Sequence, residues 1–228
     1  AREQQAEAAA GRPADPFAAP EPDLYLGPLS DSHYGLLNKF PVLANHLLVV
    51  TRAFEDQQTP LNGADFAALE PCLVEAGGLG FYNAGPTAGA SQPHKHLQLV
   101  PPLQAGTAAP APVEALLGPE RLNAAASKVD ALPFPHAVCA LDPAAGAEGM
   151  LARYHALRRA AGLGADNAPY NLLVTRRWML LVPRSREGFE GIMVNALGFA
   201  GGFLVRHRDD LAHLRRVGPM RVLQGVAG

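Results

Sequence analysis

Ser91-Gln92-Pro93-His94-Lys95-His96-Leu97-Gln98-Leu99-Val100 is the stretch on which the reading of this chain turns. Extended backbone sends successive side chains to opposite faces. A strand over residues 94–100 therefore puts His94, His96, Gln98 and Val100 on one face and Leu97 and Leu99 on the other. One face then carries two imidazoles and an amide in a row, while the other is free to be buried. Just upstream, Asn83-Ala84-Gly85-Pro86-Thr87-Ala88-Gly89-Ala90-Ser91 is a loop of small residues. Its backbone N–H groups can approach an anion without side-chain obstruction. A nucleophilic row beside an anion-binding loop points to chemistry on a phosphate ester.

Neutral imidazole is a good nucleophile toward phosphorus, and an ordinary pKa of about 6.5 leaves it mostly neutral at pH 7. Attack gives a phosphoramidate and splits one displacement into two. His96, in the middle of the row, is the expected nucleophile. His94 and Gln98, one side-chain period away on either side, are expected at the same phosphate or its leaving oxygen. Gln98 offers two donors and one acceptor and orients oxygens without titrating. His-x-His is also a metal-binding spacing, but no Cys, His, Asp or Glu follows nearby at ligand spacing, so no metal ligand is assigned. Two histidines on a half-exposed strand with no chemical role are the remaining alternative, and the small-residue loop weighs against it. His33, His46, His136, His155, His207 and His213 show no partner pattern and are expected to be surface or satisfied core residues.

The 228 residues, 48% hydrophobic, are enough for one compact unit or two small ones with a real core. A net charge of −2 gives no broad basic surface, so nucleic acid is not an expected partner. No apolar run is long enough to span a bilayer, and the N-terminus lacks the apolar segment of a secretory signal. Cys72 and Cys139 fit neither a metal site nor a disulfide framework and are expected to be reduced, in a cytoplasmic protein. The chain begins at Ala1 without a methionine and is expected to be processed or a fragment.

Residues 1–22, rich in Ala, Pro and Glu, read as a poorly ordered lead-in. Strands are expected over Asp23–Leu29, Tyr34–Phe40, Asn45–Thr51, Leu79–Asn83 and His94–Val100, with a helix over Phe66–Ala76 that Pro71 could kink. Pro101 to Pro112 reads as a surface connection. In the second half, strands are expected over Pro133–Leu141, Tyr170–Val174 and Trp178–Val182, and helices over Ala147–Ala161 and Asp209–Arg216. Ala196–Val205 suits either a close-packed helix or a buried strand. Antiparallel strands interleaved with helices imply an α+β fold, divided into the lead-in, residues 23–112 carrying the histidine row, and residues 113–228.

His94-Lys95-His96-Leu97-Gln98 resembles the His-x-His-x-Gln signature of the transferase branch of the histidine-triad superfamily, whose hydrolase branch usually has a third histidine in place of Gln98. Leu36-Leu37-Asn38-Lys39-Phe40-Pro41-Val42, His46-Leu47-Leu48-Val49-Val50-Thr51, Phe54-Glu55-Asp56-Gln57 and Gly80-Phe81-Tyr82-Asn83 resemble the ATP adenylyltransferases, or diadenosine tetraphosphate phosphorylases. So do Gly89-Ala90-Ser91-Gln92-Pro93 and, in the second half, Pro169-Tyr170-Asn171-Leu172-Leu173-Val174-Thr175, Val182-Pro183-Arg184-Ser185 and Asn195-Ala196-Leu197-Gly198-Phe199-Ala200-Gly201.

The resemblance implies a histidine-triad-like antiparallel sheet with packed helices, extended by a C-terminal α+β half. It implies that phosphate cleaves diadenosine tetraphosphate to ATP and ADP, reversibly, through an adenylylated His96, with a divalent cation, Mg2+, neutralising the polyphosphate. It places Gln98 on the phosphate, Asn83, Gly89, Ala90, Ser91 and Gln92 around the phosphate site, Lys39 on the distal phosphates, and Asn171 and Arg176 among the substrate contacts. The expected partners are diadenosine tetraphosphate, ATP, ADP and phosphate, bound by a monomer. The family usually carries a helix and a strand ahead of the point where this chain starts. Two alternatives stand beside this reading. A sugar-1-phosphate uridylyltransferase shares the His-x-His-x-Gln logic but generally has proline where Lys95 stands, and often metal-binding cysteines. An inactive nucleotide-binding module fits if the N-terminal segment is truly absent.

Overall fold

The structure, a computed structural model, describes residues 15–103, 109–164, 167–205 and 207–228. Its centre is one antiparallel sheet of eight strands: β1 (Tyr25–Pro28), β2 (His33–Leu37), β3 (Leu47–Thr51), β4 (Leu79–Asn83), β5 (His96–Val100), β6 (Ala137–Ala140), β7 (Tyr170–Val174) and β8 (Trp178–Pro183). They lie in the order β1-β2-β3-β5-β4-β7-β8-β6. The expected α+β class is the one the chain adopts. The parts on either side of residue 112 share this sheet, joined where β4 meets β7 from Gly80 opposite Val174 to Asn83 opposite Asn171. A two-residue hairpin follows, of β9 (Gly188–Phe189) and β10 (Ile192–Met193).

Six α-helices are described: α1 (Gly63–Ala76), α2 (Glu114–Leu117), α3 (Gly146–Ala160), α4 (Ala196–Ala200), α5 (Arg208–Val217) and α6 (Pro219–Val226). Helix α1 starts where Asn62-Gly63-Ala64-Asp65 closes a reciprocal cap. The Asn62 Oδ1 accepts from the N–H groups of Ala64 and Asp65, and the Asp65 carboxylate accepts from the Asn62 N–H. It runs on through Pro71, which lies on its exposed side. The undecided stretch Ala196–Val205 resolves into the five-residue α4, stopped at Gly201 in a left-handed conformation (φ 100°). Helix α6, which was not expected, begins at a proline in its first turn.

Alternation in the strands sorts the core into layers. Leu97 and Leu99 join Val49, Tyr82, Leu172 and Leu181 on the face covered by α1 and α3. Phe81, Val100, Leu173 and Leu180 face the other way, against α4 and α6. Tyr34, Leu36, Leu48 and Val50 continue that second face and are covered by Phe17. Residues 15–22, read from the sequence as part of a poorly ordered lead-in, take part in this packing. Phe17, the one large apolar side chain among them, is buried, and its carbonyl accepts a 2.6 Å hydrogen bond from the Tyr34 hydroxyl. Residues 1–14 of that lead-in, and 104–108 of the Pro101–Pro112 connection, lie outside the described residues.

Candidate active site

Strand β5 puts His96 and Gln98 on the second face, opposite Val50 and Leu48 of β3. On its other side β4 separates from β5 at this level, and the Gln57 side chain fills the gap. Its Oε1 accepts from the His96 N–H at 2.8 Å, and its Nε2 donates to the Asn83 and His96 carbonyls at 2.9 and 3.1 Å. Gln57 thus replaces the missing ladder and fixes the backbone beneath the nucleophile candidate. Nothing within the Phe54-Glu55-Asp56-Gln57 motif points to this task.

The His96 ring is held in one tautomer. Its Nδ1–H donates to the His94 carbonyl at 2.8 Å. The lone pair therefore sits on Nε2, for which the described residues provide no hydrogen-bond partner. Phe17 packs on the ring with centroids 5.1 Å apart. Burial pushes the His96 pKa down to about 4, so the imidazole is neutral, and nucleophilic, across the physiological range. The ring lines a cleft of about 230 Å³ together with Ser91, Gln92, Gln98, Asn38 and Lys39.

His94 is placed differently from expectation. Its Nδ1 lies 2.7 Å from the Asp15 carboxylate, and its Nε2 lies 2.8 Å from the Thr51 carbonyl and 3.0 Å from the Thr51 hydroxyl. Both nitrogens are engaged, so His94 supports the site through its carbonyl in place of a direct phosphate contact. Lys39 lies on the cleft rim, half exposed, and pairs with Glu21 at 2.5 Å, an acid partner that its own motif does not contain. Ser91 and Gln92 share the cleft with His96. Gly89 and Ala90 form the turn before them, where the Ala90 N–H donates to the Gly85 carbonyl. Gly89 has φ 88°, and a Cβ there would stand 2.8 Å from the Val194 carbonyl oxygen, so this position admits only glycine.

Asn83 and Asn171 are buried and bond each other. The Asn171 Nδ2 donates to the Asn83 Oδ1 and to the Ala88 carbonyl, both at 2.8 Å. Arg184, also buried, donates to the Asn171 Oδ1 and to the carbonyls of Ala88, Arg186, Glu187 and Val226. Burial lowers its pKa to about 10, so it remains cationic at pH 7. This hub ties the glycine loop to β7, β8 and the end of α6. Arg176 stands apart from it, in the β7–β8 turn. There Val174 lies beside Gly80, at the opposite end of the strands from His96.

Residues 1–119 match the family model of the Ap4A phosphorylase N-terminal domain, and residues 130–228 that of the ATP adenylyltransferase C-terminal domain. The chain is 32% identical over 235 residues to diadenosine tetraphosphate phosphorylase 2 of Saccharomyces cerevisiae, spanning 88% of this chain and 71% of that protein. This chain belongs to the Ap4A phosphorylase family. Its structure is similar to that of yeast Ap4A phosphorylase Apa2 in complex with Ap4A (TM-score 0.78, 30% identity, 95% of this chain and 81% of that one). It is equally similar to Apa2 in complex with AMP (TM-score 0.80, 29% identity, 93% and 80%).

In this family member the layer beneath the nucleophile candidate is ionic. Lys95 points to the face opposite His96 and is fully buried. Its Nζ donates to Asp65 at 2.7 Å, to Glu55 at 3.0 Å and to the Pro60 carbonyl at 3.3 Å, and the second Asp65 oxygen lies 3.1 Å from His33 Nε2. Burial alone would raise the Asp65 pKa. The hydrogen bond from His33, the Lys95 charge and its hydrogen bond, and the Asn62 N–H outweigh it, so the pKa is lowered.

Burial of neutral His96 has a measurable consequence. Its folded pKa lies below its unfolded value, so between about pH 6.5 and 4 the unfolded chain binds a proton that the folded chain does not. Stability is therefore full above 6.5 and falls as pH drops through that window, by on the order of 3 kcal/mol from this residue. Denaturant unfolding at several pH values should show His96→Gln losing less stability on acidification than the wild type. Parallel pH profiles for the two proteins would rule out the buried neutral ring.

Proposed function

We propose that this chain cleaves diadenosine tetraphosphate with inorganic phosphate, releasing ATP and ADP, and that His96 carries the adenylyl group between the two steps. The observation that carries the reading is the His96 tautomer: Nδ1–H held on a carbonyl, and a free Nε2 lone pair in a cleft beside the glycine loop. In the first step Nε2 bonds to the α-phosphorus and the bond from that phosphorus to the bridging oxygen breaks, so ATP departs. In the second, a phosphate oxygen attacks the same phosphorus, the N–P bond breaks and ADP leaves. The free His96 lone pair returns, and both steps run backwards by the same path.

Gln98 decides which acceptor is used. An amide orients oxygens but does not accept a proton from water. Phosphate arrives ionised and needs no base. Lys39 is read as the contact to the distal phosphates, exchanging Glu21 for substrate. Glu21 is the only carboxylate among the residues lining the cleft, so the donor set builds no protein cage for a resident ion. A divalent cation, Mg2+, is read as arriving with the polyphosphate, which supplies its oxygens. The chain is read as acting as a monomer. Cys72 and Cys139 are free thiols, in keeping with a cytoplasmic protein. No helix among the described residues is long and apolar enough to cross a membrane.

Incubation with diadenosine tetraphosphate, with and without phosphate, tests the reading. ATP and ADP are expected in equal amounts and only when phosphate is present, with AMP a minor product. ATP and AMP accumulating at a similar rate without phosphate would make the chain a hydrolase.

A further inference from the structure

We propose that His46 is a positioning residue that fixes which way round the Gln98 amide faces the reacting phosphate. The inference rests on the phosphorolysis reading above and deepens it. A glutamine amide can present either its carbonyl or its NH2 group, and the two ends differ little in shape. Phosphoryl oxygens are acceptors, so only the NH2 end attracts them, while the carbonyl end repels them. Something must select the end.

A directed hydrogen-bond chain does so. It begins at the Phe40 N–H, a donor whose direction is fixed, which donates to the Asn38 Oδ1 at 3.0 Å. That orients the Asn38 amide, whose Nδ2–H donates to the His46 Nδ1 at 3.2 Å. An Nδ1 that accepts leaves the neutral His46 proton on Nε2, and this N–H donates to the Gln98 Oε1 at 2.9 Å. The Gln98 carbonyl is thereby engaged. Its NH2 has no protein partner among the described residues, and Gln98 lines the cleft beside His96.

Each link has one consistent direction, and reversing Gln98 would set its NH2 against the His46 N–H. His46 is itself buried, its backbone carbonyl accepts from the Asn38 N–H at 2.9 Å, and its ring packs 5.9 Å from Phe81. Burial lowers its pKa, in line with the neutral tautomer the chain requires. The loop that begins the relay also carries Lys39, so the phosphate rim and the Gln98 amide are held by the same few residues.

The test is a double-variant cycle on diadenosine tetraphosphate phosphorolysis with His46→Leu, Gln98→Ala and both together, beside His46→Gln. His46→Leu should lower kcat by no more than Gln98→Ala does, roughly 10- to 100-fold, with KM changed less than about threefold. In the Gln98→Ala background it should cost nothing further, because the amide it orients is gone. His46→Gln, whose side-chain NH2 reaches near the Nε2 position, should recover most of the rate. Multiplicative losses in the double variant, or a His46→Gln enzyme as slow as His46→Leu, overturn the proposal. Should the leucine variant not fold, His46→Phe carries the same cycle. A wild-type chain inactive on this substrate would instead overturn the phosphorolysis reading, so the two failures are distinct.

Discussion

His96→Ala is expected to abolish turnover while leaving nucleotide binding in place. Among the described residues, the substitution removes the one cleft group with a free, unprotonated nitrogen. The Gln57 bridges to the His96 backbone and the remaining cleft residues stay as they are. Loss of a covalent nucleophile leaves only binding and electrostatic assistance to direct attack, so a drop of roughly 10^4-fold or more in kcat is expected. Folding should survive, because Nε2 opens into the cleft and the strand beneath the ring is held through its backbone by Gln57. Single-turnover kinetics alongside a nucleotide titration separate the two effects. A variant that keeps more than about a hundredth of the wild-type rate would mean that phosphate attacks the substrate directly.

Lys95→Met should have the largest effect on stability. Lys95 has no exposure and its charge faces two carboxylates. Removing it leaves Asp65 buried with its charge uncompensated, a change that typically costs about 3–5 kcal/mol. At about 2–4 °C per kcal/mol for a chain of this size, the midpoint of thermal unfolding should fall by roughly 10 °C. Adding Asp65→Asn should recover part of the loss by removing the stranded charge. Recovery will be incomplete, since Asp65 also caps α1 through the Asn62 N–H. A Lys95→Met midpoint within two or so degrees of wild type would show that water reaches the site and the network is not closed.

What the sequence made legible was local. Period-two alternation in His96–Val100 predicts both faces of β5, the apolar run Leu47–Thr51 marks β3 without sorting its faces, and the helix expected over Phe66–Ala76 starts three residues earlier, at Gly63 behind the Asn62 cap. Alternation alone also sends Lys95 to the face of Leu97. A buried lysine could be read from that, but its acids could not, because they come from α1 and from the loop after β3. His46 was set aside as partnerless because Gln98 lies 52 residues away, on a strand whose pairing with β3 has no local signature. The same distance hides Asp15 from His94, 79 residues on, and makes the lead-in look dispensable when Phe17 in fact covers the site. Gln57 is less legible still, since a side chain standing in for a sheet ladder leaves no periodicity. Resemblance names Asn171 as a substrate contact, and what is not legible locally is its bonding to Asn83, Ala88 and Arg184 in a clamp on the glycine loop.

The adenylyl-His96 intermediate is the centre of this account, and trapping it is the most direct measurement. The protein is incubated without phosphate with diadenosine tetraphosphate radiolabelled at the α-phosphates, then digested and its peptides mapped. One labelled peptide, containing His96, should appear, with a bond labile in acid and stable in alkali. Adding phosphate before digestion should discharge the label as ADP. Label on any other residue, or none from a preparation that turns over diadenosine tetraphosphate with phosphate, would contradict the account.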